Sequence, residues 1–149
     1  MSITVDDVIK VAIEKEENAY NLYRGMLDKI NDPGAKAMVS KLAEEERSHK
    51  NALERLDLKK LQKLGSKKVE DLKIVEYLQD RVITDTSNLQ DVLVFAMKRE
   101  KEAHEFYSRF ASEMPDLEVK NILEALAQEE LKHKRDLEVF YDDVIYQED

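Results

Sequence analysis

The sequence predicts an all-α domain: a four-helix bundle with a long crossover between its second and third helices. Three observations carry that expectation. The 149 residues include only three Gly and two Pro, too few breaks for the many turns a sheet protein needs. Apolar residues recur at steps of three and four, the spacing of one buried helix face. The chain also repeats itself. Residues 12–58 laid on 96–142, an offset of 84, give 14 identities in 47 positions, several times what random pairing at ordinary residue frequencies returns.

A single domain over 1–149 is expected, because this length suits one hydrophobic core. It is built of duplicated halves at about 5–63 and 88–145, with the crossover at about 57–87. The first helix is expected over 5–31, with Thr4 as N-cap and Asp7 three residues on. Its apolar stripe reads Ile9, Ala12, Glu16, Ala19, Tyr23, Met26, Ile30. Asn31, Asp32, Pro33 and Gly34 form a strong turn signal, and a second helix follows over 34–63 with Val39, Leu42, Glu46, His49, Leu53 and Leu56 on one face. The crossover contains Gly65 and Ser66, then Val69, Leu72, Val75, Leu78 and Val82, which read as a short amphipathic helix. Ser87 and Gln90 suggest a capping box before a third helix over 88–113, whose stripe is Leu89, Leu93, Ala96, Glu100, Ala103, Tyr107, Phe110. A break at 114–116, where Pro115 suits a first helical position, leads to a fourth helix over 116–145 with Val119, Leu123, Leu126, Glu130, His133, Leu137, Phe140 and Val144. Short loops make each half an antiparallel pair, and a long crossover joining two such pairs is an established bundle topology.

Composition removes several function classes. A net charge of −9 argues against nucleic acid or anionic membrane as the main partner. No apolar run approaches the ~20 residues a membrane span needs. The N-terminus turns acidic at once at Asp6 and Asp7, so no signal peptide is expected and a cytoplasmic location is. With no cysteine there is no disulfide, thiolate metal site or cysteine nucleophile.

The functional argument rests on polar residues that occupy core positions. Glu16, Glu46, His49, Glu100, Glu130 and His133 all lie on apolar stripes near the midpoints of their helices. An unpaired carboxylate in such a place costs several kcal/mol or is forced to protonate. No Lys or Arg lies on these stripes to pair them. Two divalent cations would balance the four carboxylates, the imidazoles being neutral. Glu-x-x-His puts both side chains on one helix face a turn apart, so both reach one point. One Glu-x-x-His arises easily among 19 glutamates, but two of only three histidines have it, at matched intervals from a repeated Glu-x-x-Ala-x-x-x-Tyr. The competing reading is a buried polar layer without metal. One Glu from each of two helices with Glu-x-x-His from each of the others is a known two-metal carboxylate pattern.

These motifs, Glu16 to Tyr23, Glu46-x-x-His49, Glu100 to Tyr107 and Glu130-x-x-His133, resemble the rubrerythrin-type branch of the ferritin-like di-iron carboxylate family over nearly the whole chain. The resemblance implies a ferritin-like bundle holding two iron ions. By it, Glu46 and Glu130 bridge the metals, Glu16 and Glu100 are terminal ligands, and His49 and His133 cap one metal each. Tyr23 and Tyr107 are implied to hydrogen-bond ligand carboxylates across the bundle. The sequence departs from full-length rubrerythrins in two ways. It contains no cysteine, so a rubredoxin-like domain is not expected and the electron donor is expected to be a separate protein or small molecule. It also carries Ala103 where those proteins tend to have an extra carboxylate, so the site is expected to be more symmetric.

The resemblance implies reduction of hydrogen peroxide, with peroxide or O2 as the small-molecule substrate. The alternatives are an iron-binding or ferroxidase protein handling Fe(II) with O2, and a non-catalytic bundle. A Glu/His set also accepts Mn or Zn. His104, the counterpart of Tyr20, reads as a boundary histidine. Glu45 and Glu129 lie off the stripe and read as solvated, or at most as supports for the ligands. Tyr20, Tyr77, Tyr141 and Tyr146 are assigned to packing or to an oligomer interface, with a homodimer as the expected assembly.

Overall fold

The computed structural model describes residues 3–56, 68–69 and 88–148. Four helices dominate it: α1 Val5–Met26, α2 Pro33–Glu54, α3 Leu89–Glu113 and α4 Leu117–Glu148. Two two-residue strands, β1 Ile3–Thr4 and β2 Lys68–Val69, pair antiparallel with Ile3 opposite Val69. Val69 is therefore a strand residue and not the start of a crossover helix. The rest of the crossover lies outside the described residues.

Each helix start has a local chemical cause. Thr4 Oγ1 accepts from the Asp7 amide at 3.2 Å while Asp7 Oδ2 accepts from the Thr4 amide at 2.9 Å, the reciprocal box expected. The last turn of α1 tightens into a 3-10 turn, Leu27–Lys29, so the α-helix proper stops before residue 31. Asp32 caps α2 by accepting from the Ala35 amide at 2.9 Å, with Pro33 at the first helical position where no N–H is needed. Within the described residues α2 ends at Glu54, short of the expected 63, because Arg55 and Leu56 turn out of the helix. The cap of α3 is Asn88, whose Oδ1 accepts from the Asp91 amide at 2.8 Å; Ser87 lies outside the described residues. Gln90 is then free of any capping role, and its Nε2 donates to Tyr141 Oη at 3.3 Å. Asp116 caps α4 through the Val119 amide at 3.2 Å, so Pro115 precedes the helix instead of opening it.

α1 packs along α2 and α3 along α4, while α1 also meets α3 and α2 meets α4. The core has two parts. At one end Val5, Val8 and Ala12 meet Leu53, Phe106, Phe110 and Leu123. At the other, Tyr23, Met26 and Ile30 meet Val39, Leu42, Leu93 and Leu137. The polar residues of the stripes lie between these clusters, so apolar layers seal them from both ends. No helix among the described residues is long and apolar enough to cross a membrane.

Candidate metal centre

Mid-helix positions on four different helices bring the six predicted residues into one layer. Glu16 comes from α1, Glu46 and His49 from α2, Glu100 from α3, and Glu130 and His133 from α4. All four carboxylates are at most 2% exposed and His133 is fully enclosed. His49 is slightly more open, with 12% of its side chain exposed. Two overlapping groups emerge: Glu16, Glu46, His49 and Glu130, and Glu46, Glu100, Glu130 and His133, each with ligand atoms within 4.8 Å of one another. Glu46 and Glu130 belong to both.

The duplication appears as a pseudo-two-fold axis through this layer. The His49 and His133 rings face each other with centroids 5.7 Å apart and planes within 13°. Tyr107 Oη donates to Glu16 Oε1 at 2.6 Å, and its repeat partner Tyr23 donates to Glu100 Oε1. Each tyrosine thus steadies a glutamate of the opposite half and leaves the second carboxylate oxygen turned inward. Burial, then the charge of the glutamate each one touches, raises both phenols well above their usual range, so they remain donors.

His133 Nε2 lies 2.5 Å from Glu45 Oε2, which places the ring proton on that side. Its Nδ1 is then a bare lone pair, and it sits 2.7 Å from Glu46 Oε1. Neither atom has a hydrogen-bond partner, and Glu16 Oε2 and Glu100 Oε2 are likewise buried and unpartnered. Acceptor atoms converging in this way repel one another unless a cation or a proton lies between them. On the other side His49 Nδ1 is 3.0 Å from Glu130 Oε1, 3.5 Å from Glu16 Oε2 and 3.6 Å from Glu46 Oε1. The donor set of carboxylates and imidazoles fits divalent iron, manganese or zinc.

The metal-free electrostatics point the same way. Burial, followed by the charge of Glu130, pushes the Glu46 and Glu100 carboxyls well above the normal range. Burial and then the Glu16 charge push Glu130 up to about 8. Glu16 behaves differently: burial opposes its charge, but hydrogen bonds with His49 and then Glu46 outweigh that and hold it below the usual value. His49 is raised, burial being overcome by its contact with Glu16. Three of the four carboxyls therefore resist ionisation until positive charge arrives, which is the behaviour of a preformed cation site.

A family model described as Rubrerythrin matches residues 7–141. The chain belongs to the rubrerythrin family. Solved structures agree on the fold. A Thermotoga maritima protein described as ferritin-like diiron-carboxylate superposes with a TM-score of 0.77 at 19% identity, covering 97% of this chain and 98% of that one. The dodecameric thioferritin of Bacteroides fragilis, a bacterioferritin-related protein, gives 0.73 at 20% identity over 95% and 86%. A hypothetical protein of Pyrococcus furiosus gives 0.70 at 22% over 94% and 89%. No curated protein sequence matches the chain.

The structure also places the residues of weaker standing. His104 Nδ1 bonds the Ala127 carbonyl at 2.8 Å, tying α3 to α4. Tyr20 packs on the second core cluster with Tyr141, while Tyr77 and the Tyr146 side chain lie outside what is described. Glu45 holds His133 from behind, and Glu129 has a ligand atom within 4.8 Å of theirs. Sequence reasoning passed over Lys15 and Arg99, which line a cleft above the carboxylates with Ala19 and Ala103. The signal available was their separation by the repeat offset, each just before a stripe glutamate.

Proposed function

We propose that this chain is a non-haem di-iron oxidoreductase that reduces hydrogen peroxide with electrons from an external donor protein. The observation that carries the reading is the pair of overlapping four-residue groups sharing Glu46 and Glu130. In this reading Glu46 and Glu130 would help to hold both irons, Glu16 and His49 would hold one of them, and Glu100 and His133 would hold the other. When bound, a pair of ferrous ions supplies the two electrons that, with two protons, convert one hydrogen peroxide to two waters.

The protein's own residues perform the rest. The unpartnered oxygens of Glu16, Glu46 and Glu100 balance charge that changes with oxidation state. Tyr23 and Tyr107 keep Glu100 and Glu16 oriented without bringing in charge. Glu45 fixes the tautomer of His133. The apolar clusters on both sides exclude water from the layer.

Iron handling is the second reading, favoured by the thioferritin among the structural relatives. In that case Fe(II) is oxidised by O2 at the same residues and passed on. Anaerobic loading with Fe(II), followed by rapid mixing with peroxide or O2, separates the two. Faster oxidation by peroxide, ending at two irons per chain, supports the first. Faster oxidation by O2 with uptake continuing beyond two irons supports the second and refutes the first.

A further inference from the structure

A groove of about 570 Å³ runs between the first half of α2 and the last half of α4. On α2 its lining extends from Asp32 to Glu45, about 20 Å at the rise of a helix. Met38, Leu42, Phe140 and Val144 give it an apolar base. Val139 also lines it and is 63% exposed, one of only two large hydrophobic side chains left exposed among the described residues. Around this strip Asp32, Glu45, Asp136 and Asp143 set four carboxylates against one ammonium, that of Lys41. Lys41 is already engaged by Glu45 at 3.8 Å, and among the described residues no cation pairs with the three aspartates. The groove also lies close to the glutamate layer. Glu45 Oε2 is 2.5 Å from His133 Nε2, and His133 Nδ1 is 2.7 Å from Glu46 Oε1. One carboxylate and one imidazole therefore separate the groove from that layer.

We propose that this groove docks the external electron donor, a one-electron carrier protein with an apolar patch ringed by Lys and Arg, and that its electrons enter through Glu45 and His133. The inference rests on the reading of the layer as a redox metal centre. Charge complementarity selects the partner: a basic rim meets the unpaired aspartates and covers Val139 and the apolar base. A second copy is a poor occupant, because a two-fold contact there sets Asp136 and Asp143 against themselves. Electron transfer weakens steeply with distance, so a donor works only where few side chains intervene. Transient electron-transfer encounters bury less than about 1,200 Å² in total, which suits a surface feature of this size. Two reduced carriers dock in turn and each releases one electron. Together these are the two electrons that one hydrogen peroxide consumes, with two protons, in forming two waters.

Ferricytochrome c, a basic haem protein that accepts one electron, is the probe. In the metal-free, isotope-labelled chain at low ionic strength it is expected to shift the backbone amides of the groove residues, and added salt to reverse the shifts. Asp136→Lys/Asp143→Lys is expected to weaken this binding roughly tenfold or more. Val139→Asn is expected to weaken it with no change of charge. Glu102→Lys/Glu124→Lys, the same charge change at exposed positions outside the groove, is expected to have a much smaller effect. Anaerobic mixing of the Fe(II)-loaded protein with the probe is expected to reduce two cytochromes per chain. That rate is expected to fall roughly tenfold in Asp136→Lys/Asp143→Lys, while peroxide oxidises the iron of this variant at the native rate. Shifts that fall outside the groove overturn the proposal, as do equal effects of the two charge-reversed pairs or cytochrome reduction indifferent to the groove variants. Nuclear Overhauser contacts showing the groove already filled by the chain itself or by a second copy overturn it too. Groove docking by a chain that takes up no iron refutes the metal reading and leaves the docking surface standing.

Discussion

Replacing Glu130 by Gln is expected to stabilise the metal-free protein near neutral pH while disabling its metal site. In the folded metal-free chain burial, then the Glu16 charge, carries the Glu130 carboxyl to about 8 from an ordinary value of 4.5. A folded pKa above the unfolded one means that the folded chain holds the proton more tightly. Its contribution to stability is complete below the unfolded value and is lost as pH rises through the folded value. At about pH 7 the unfolded chain has released this proton and the folded chain has kept it. The difference of roughly 2.5 units corresponds to about 3 kcal/mol. Gln has the same shape and no proton to lose, so Glu130→Gln removes that penalty near pH 7 and gains almost nothing near pH 4.5. For a domain of this size the gain corresponds to a melting-temperature rise of roughly 6–12 °C. Thermal melts of chelator-treated protein at the two pH values, followed by far-UV circular dichroism, measure it. An unchanged or lower melting temperature near neutrality, or the same gain at both pH values, would refute the reasoning.

Further outcomes follow from individual contacts. Tyr107→Phe leaves Glu16 Oε1 buried without its donor and is expected to cost the metal-free protein about 1–3 kcal/mol in urea unfolding, with two metals per chain still bound. Glu45→Ala removes the acceptor behind His133; competition titrations should show roughly 10–100-fold weaker affinity for one of the two metals. Thr4→Ala breaks the capping box at the start of α1 and should lower stability by about 1 kcal/mol in the same unfolding assay.

The fold was legible because most of its determinants are local or periodic. Thr4 and Asp7 specify the start of α1 through atoms three residues apart. Asp32, Pro33 and Gly34 likewise carry their own turn and cap. The end of α2 was not legible, because Leu56 continues the apolar stripe past Glu54, where the helix ends. Ser87 and Asn88 are both competent caps, and only the backbone geometry assigns the task to Asn88. The six residues of the layer stood out because charge on an apolar stripe is costly and here it occurs twice at one spacing. Glu45, Lys15 and Arg99 were hidden because each lies beside a stripe. What they reach depends on how neighbouring helices are rotated, and periodicity along one helix does not encode that.

The most direct test of the central claim is to load the protein anaerobically with Fe(II), crystallise it and collect anomalous diffraction at the iron edge. Two peaks per chain roughly 3–4 Å apart, both in contact with Glu46 and Glu130 and each next to one histidine, are the predicted result. A single peak, or two peaks that do not share those glutamates, would contradict it.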